Sequence, residues 1–432
     1  MIVRIAADGK VELEKNESIT ESLVVLDNKE HLLAMEYAPK KPVKTARVAV
    51  VLMHCDLNYM GLPMASALAR RGYRTLGCQS IASGDIDRRF EIMDGHIRYL
   101  KANPNIDKVI LMGHSGGATL VTAYQAMAEN GPEIFKGSKM LYKTRLKGKL
   151  EPADGIMLID ANYGNGVMSL ISMDPAVVEE GCGMKLDPAY DIFDPAKGFR
   201  KDGAVYSPEF RKQYRLAQKR RNDALIDAAL ARLDKLEKGE GSFVDDEPFI
   251  IAAANQPKPN NRMLPQDLHQ LNHTKGKYDL LHGDGSITHG QIFSVRTPEC
   301  GRSFSQTYSL GAAKNTVRGF LSSQALRTTE DFDVLEDDIV GVDWHSSYST
   351  PIGNIEHIHV PTLMMGMTGS YEFIAAEMIY NHAVMADKTI AFVQGASHMF
   401  NPNHAAEKVP GEFGDTERVL YDFIAGWLER FV

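Results

Sequence analysis

From residue 47 onward, short unbroken apolar runs alternate with amphipathic stretches, and the connections between them are brief. A strand covered on one face only would alternate apolar and polar residues. Unbroken runs therefore belong to strands covered on both faces, as in a parallel sheet flanked by helices. Runs at 48–53, 73–78, 108–112 and 155–159 read as strands, with helices at 62–71, 86–102 and 118–129 between and after them. Gly72, and Asn103 with Pro104, stand where two of those helices must stop. The first 45 residues do alternate, at 22–27 and 31–37, and are expected to pair as antiparallel strands.

The α/β pattern stops after residue 163 and returns near residue 359, with strands expected at 360–365 and 388–393 and helices at 375–385 and 416–431, the last capped by Asp415. The expected organisation is a core at 1–164, an insertion at 165–350 and the rest of the core at 351–432. The insertion is expected to be mainly helical. Its clearest element is a helix over 207–238, capped by Ser207, opened by Pro208 and ended by Gly239, with a stripe of Phe210, Tyr214, Ala217, Leu225, Ala228 and Leu236. Segments 256–262 and 281–290 are rich in turn formers and are expected to be exposed loops.

Across 432 residues, 44% are hydrophobic and 24% charged, ordinary values for a soluble globular protein. A formal charge of −8 leaves no general electrostatic footprint for nucleic acid or an anionic membrane, so the expected partner is a small-molecule substrate. Assembly into a homo-oligomer stays open. Residues 1–10 lack the basic and apolar pattern of a secretory signal and no run is long enough for a membrane span, so a cytoplasmic location is expected. The four cysteines, Cys55, Cys78, Cys182 and Cys300, have no close spacing and are expected to be reduced.

Gly113-His114-Ser115-Gly116-Gly117 matches Gly-x-Ser-x-Gly directly after an expected strand and directly before an expected helix, the context of a nucleophile elbow. Such a turn needs small neighbours, which Gly113, Gly117 and Ala118 supply. A serine hydroxyl also needs an imidazole to take its proton. Of the 14 histidines, His398 follows the last expected strand and is the best placed.

In these residues and the order of its elements, the chain resembles the α/β-hydrolase superfamily over about the first 165 and the last 75 residues. The resemblance implies a mostly parallel eight-stranded sheet flanked by helices, with Ser115 as nucleophile after the fifth strand and His398 as base after the last. It places an acid between them. The position three beyond Gly366, where the family often has Asp, is Gly369; Glu372 is the preferred substitute, and Asp160, at the end of strand 155–159, is the alternative. One oxyanion donor is expected from the Gly116 N–H. The second is expected from Asp56, or alternatively Leu57, because the loop His54-Cys55-Asp56-Leu57 looks like the family's His-Gly loop with Cys55 replacing glycine.

Other candidates have plainer readings. Cys55 is expected to be a packed thiol, and His114 structural. His269 and His273 have a helical metal-ligand spacing but lack the accompanying glutamate, so no metal is expected, nor any cofactor. The basic run 211–221 is expected to be a solvated helix face, and Gly283-Asp284-Gly285 is too short to argue for phosphate binding. The implied chemistry is hydrolysis of a carboxylic ester, thioester or lactone through an acyl-enzyme on Ser115, with the insertion as a lid. A carbon–carbon hydrolase of diketones and a catalytically silent binding protein are the alternatives.

Overall fold

The computed structural model describes residues 2–5, 11–14, 18–27, 32–81, 85–181, 185–255, 262–299 and 311–432. Cys182, Cys300 and residues 256–261 of the expected loop lie outside them.

The main sheet has ten strands: β1 (Ile19–Asp27), β2 (Leu32–Pro39), β3 (Val48–Leu52), β4 (Arg74–Cys78), β5 (Lys108–Ser115), β6 (Gly155–Ala161), β7 (His273–Leu281), β8 (Ile287–Phe293), β9 (Thr362–Met367) and β10 (Lys388–Val393). Their spatial order is β8-β7-β10-β9-β6-β5-β3-β4-β2-β1. The strands from β4 through β7 in that order are mutually parallel; β1, β2 and β8 run antiparallel to their neighbours. The eight-stranded expectation thus grows by two. Hairpin β7–β8 comes from segment 165–350 and pairs with β10, covering what would otherwise be an open sheet edge. Segment 281–290, expected as a loop, is the turn and second strand of that hairpin.

Five helices of the core and three of the insertion position the site: α1 (Pro63–Arg70), α2 (Asp87–Lys101), α3 (Gly116–Asn130), α4 (Asn165–Ser172), α5 (Pro208–Glu237), α6 (Val317–Ser323), α7 (Phe373–His382) and α8 (Thr416–Leu428). Successive residues of one strand enter different cores, as period-two geometry demands. Val48, Val50 and Leu52 pack with α1 and α8, while Ala49 and Val51 pack with α2, α3 and α7. This double coverage explains the unbroken apolar runs.

Segment 165–350, expected as a mainly helical insertion, is mixed. Besides β7 and β8 it holds the pair Pro248–Ile251 with Ala313–Thr316 and the hairpin Thr328–Val334 with Ile339–Val342. Helix α5 starts as expected, with Ser207 Oγ accepting the Phe210 N–H at 3.2 Å. Its buried face differs: Ala228 is exposed and Ala229 buried. The basic run is not a solvated face either. Arg215 is fully buried and donates to Gln218 and Gln270, and buried Arg221 pairs with Glu180 and with the carbonyls of Asp174 and Ala252. Periodicity missed this because a guanidinium with all-polar partners substitutes for an apolar side chain at a helix contact. No helix among the described residues is long and apolar enough to cross a membrane.

Candidate active site

Strand β5 ends at Ser115 and α3 begins at Gly116, so the chain reverses within one residue. Ser115 takes φ 54° and ψ −127°, a conformation that costs an L residue about 1–3 kcal/mol and persists only where the surroundings enforce it. They do so by close approach. A Cβ on Gly113 would lie 2.6 Å from the Ala118 Cα, and one on Gly117 would lie 2.8 Å from the Met53 carbonyl oxygen. Strand and helix therefore meet at a distance only glycine allows, as the motif anticipates.

Two further corners are strained in the same sense: Asp160 at the end of β6 (φ 44°) and Phe400 in the loop after β10 (φ 75°). At the first, the register between β5 and β6 slips after His114↔Ile159, so that Ser115 faces Ala161 and the Asp160 side chain is turned out of the ladder. One Asp160 oxygen accepts the Met367 N–H at 2.9 Å; the other lies 2.6 Å from His398 Nδ1. The carboxylate has no solvent exposure, against 24% for the His398 side chain.

Glu372, the acid preferred from sequence, is also present, with Oε2 3.2 Å from the same Nδ1. Both candidate acids thus converge on His398, and the shorter, hydrogen-bonded contact belongs to Asp160. The reason Gly369 carries no acid is steric. A Cβ there would lie 2.6 Å from the Ala396 carbonyl oxygen, which the Gly369 N–H approaches to 2.8 Å. The loop carrying His398 occupies the space that an Asp at 369 would need.

A carboxylate on Nδ1 fixes the proton there and leaves Nε2 with its lone pair, the state of a general base. The backbone of His398 is held from the elbow itself. His114 Nε2 is 2.8 Å from the His398 carbonyl, so it is the donor there, and Nδ1 accepts from the Tyr59 hydroxyl at 2.7 Å. The rings of His114 and His398 lie 4.6 Å apart. Burial first, then the charges of His398 and His54, hold the His114 pKa well below the usual value, so His114 is a neutral structural link.

The loop after β3 differs from expectation. The N–H groups of Asp56 and Leu57 are both turned toward the Nδ1 edge of the His54 ring, their nitrogens 3.3 and 3.2 Å from Nδ1. The ring responsible for this is well placed itself: His54 Nε2 lies 3.2 Å from where a Gly116 Cβ would stand. Asp56 Oδ1 is 2.6 Å from Nδ1, and so short a contact with a carboxylate requires the proton to lie between them. Burial lowers the His54 pKa, but Cys55 and Asp56 outweigh it and raise it to about 10. His54 therefore presents a charged Nε2–H beside the N-terminus of α3. Sequence reasoning did not single out this ring because the motif it followed draws its donors from backbone.

Cys55 is buried, with Sγ 3.7 Å from His54 Nδ1, in keeping with a packed thiol. His269 and His273 do not share a helix: residues 268–271 form turns and His273 opens β7. Gly283-Asp284-Gly285 is the β7–β8 turn, with Asp284 Oδ1 accepting from the Ser286 N–H and hydroxyl.

No protein-family model matches the chain, and no curated protein matches it. Solved structures similar to it include the siderophore hydrolase EstB from Aspergillus fumigatus (12% identity over 96% of this chain and 99% of that one, TM-score 0.44). Others are esterase B from Lactobacillus Rhamnosis (9%, 97% and 90%, 0.41) and the monoacylglycerol lipase of Paleococcus ferrophilus (12%, 93% and 99%, 0.40). Its own strand order and the strand–Ser115–helix bend, rather than these distant likenesses, give the chain the architecture of an α/β-hydrolase fold.

Proposed function

We propose that the protein is a serine hydrolase that cleaves an ester-type bond, in a carboxylic ester, thioester or lactone, through an acyl-enzyme on Ser115. The observation that carries this reading is the short bond from buried Asp160 to His398 Nδ1, made by a histidine whose backbone is tied to the residue before Ser115. In this scheme His398 Nε2 takes the proton as Ser115 Oγ attacks the carbonyl carbon, and Asp160 stabilises the imidazolium that forms. The oxyanion is held by the Gly116 N–H at the positive end of α3 and by His54 Nε2–H, which takes the role first given to Asp56 or Leu57. Collapse breaks the ester bond and the leaving group departs with the proton from His398. Water then repeats the sequence on the acyl-enzyme, releasing the acid and free Ser115.

The insertion serves as the lid of this site. Support comes from α6, whose Ser322 Oγ accepts the Ile86 N–H at 3.2 Å and whose Ser323 Oγ accepts from Asn165 at the same distance. Asn165 Oδ1 in turn stands 3.1 Å from the position of a Gly116 Cβ. A fluorophosphonate probe tests the reading: it should label wild type and leave Ser115→Ala unlabelled. An inert wild type, or a variant that still labels, would sink it. Turnover of aryl esters but not of β-diketones should accompany labelling.

A further inference from the structure

Tyr59 lies between β3 and α1, and its backbone is seated on β4. Its N–H donates to the Cys78 carbonyl at 3.1 Å. A Cβ on Gly77 would lie 2.5 Å from the Tyr59 carbonyl oxygen, an approach that only glycine permits. The residue is 2% exposed, and its side chain touches groups on both sides of the site: the ring lies 5.3 Å from that of His54, and the hydroxyl is 2.7 Å from His114 Nδ1.

The hydrogen bonds that lead from Tyr59 to His398 can run in one direction only. The His398 carbonyl oxygen, 2.8 Å from His114 Nε2, can only accept, so a proton stands on Nε2. A neutral imidazole carries one N–H, which leaves Nδ1 with its lone pair and obliges the Tyr59 hydroxyl to donate. Burial first, then the charges of Cys55 and Asp56, hold the Tyr59 pKa well above the usual value, so the hydroxyl keeps the proton it must give. No other hydrogen-bond partner of Nδ1 is found among the described residues.

Without that hydroxyl nothing selects between the two tautomers of His114. The Nδ1–H form would bury an unsatisfied donor and turn the Nε2 lone pair on the His398 carbonyl oxygen, two acceptors in contact. The contact opens only if the backbone of His398 moves. Its ring is held separately at Nδ1 by Asp160, so such a movement changes how Nε2 stands toward Ser115.

We infer that Tyr59 is a positioning residue, whose hydroxyl locks His114 in the Nε2–H tautomer and thereby holds the backbone of His398 where its imidazole serves Ser115. This rests on His398 being the base. The role is separable from packing, because Tyr59→Phe keeps the ring against His54 and deletes only the donor.

Nitrogen NMR of the full chain, labelled selectively at histidine, reads the tautomer, with the His114 resonances assigned by their loss in His114→Gln. Wild type should show Nε2–H alone, and Tyr59→Phe should add the Nδ1–H form. For an aryl ester, kcat per fluorophosphonate-titrated site should fall about tenfold in Tyr59→Phe, with KM changed by less than about twofold. A glutamine amide carries its N–H donors whatever Tyr59 does. In the His114→Gln background the same substitution should therefore change kcat by less than about twofold. An Nδ1–H His114 in wild type overturns the inference without any variant having to fold; so does a Tyr59→Phe protein that keeps the wild-type tautomer, or an equal loss of kcat in both backgrounds. The tautomer is read without turnover, which separates this inference from the hydrolase reading. A wild type that the fluorophosphonate does not label, yet whose tautomer responds to Tyr59→Phe, would remove the nucleophile and leave the lock standing. A labelled protein whose tautomer ignores the substitution would do the reverse.

Discussion

The two walls that meet at Ser115 are electrostatic opposites. On one side His398 faces two buried carboxylates, Asp160 and Glu372, at 2.6 and 3.2 Å. On the other, a positively charged His54 stands near the N-terminus of α3, and its partner Asp56 has a side chain 55% exposed and so weakened by solvent. In the proposed reaction the first wall would stabilise positive charge on an imidazole, and the second negative charge on a substrate oxygen. Acyl transfer develops those two charges together and on opposite sides of one carbon. A charge pattern set in place beforehand lowers the barrier because little has to reorganise during reaction.

Removing the charge from the first wall should cost most. Asp160→Asn keeps the shape but lets the side chain donate to His398, favouring the tautomer whose Nε2 cannot accept the Ser115 proton. A fall in kcat of roughly 10³–10⁴ is expected. Steady-state hydrolysis of an aryl ester checks it, and a loss below about tenfold would break the contrast between the walls.

On the second wall, His54→Leu removes a single donor, so kcat should fall by roughly 10²–10³ with KM little changed. The same residue leaves a mark on stability. Its folded pKa is raised to about 10, so its stabilising contribution is fully present below the unfolded value and is lost as pH rises through the folded one. Urea midpoints of wild type and His54→Leu should accordingly differ most near about pH 6 and converge toward about pH 10. A gap that widens with pH would mean that His54 is held neutral.

The uneven legibility of the site follows from the same geometry. The bend at Ser115 and the parallel core were readable because each depends on neighbours in sequence: unbroken apolar runs mark strands covered on both faces, and Gly113 and Gly117 mark a close crossing of strand and helix. Which carboxylate lies nearer His398 was not, because that turns on long-range contacts. Ala396 approaches Gly369 so closely that no side chain fits, and a slip in the β5–β6 register turns Asp160 toward His398. The loop after β3 was misread for a local reason, since its Asp56 and Leu57 N–H groups are turned toward the His54 ring. The insertion was least legible. Arg215 and Arg221 are buried there by polar partners, so its cores do not announce themselves as apolar stripes.

The smallest expected effect is the sharpest test of how the first wall divides its work. Glu372 Oε2 lies 3.2 Å from the nitrogen that Asp160 already engages at 2.6 Å, so Glu372 acts on His398 mainly through its charge. Glu372→Gln should therefore lower kcat by less than about tenfold. Removing a negative charge beside the imidazole disfavours its protonated form, so the acidic limb of the kcat/KM profile should move to lower pH, by about one unit or less. A limb that moves upward would contradict the Coulombic role. Should Glu372→Gln instead match the loss of Asp160→Asn, the longer side chain is the orienting acid, and Asp160 serves to anchor β9 through the Met367 N–H.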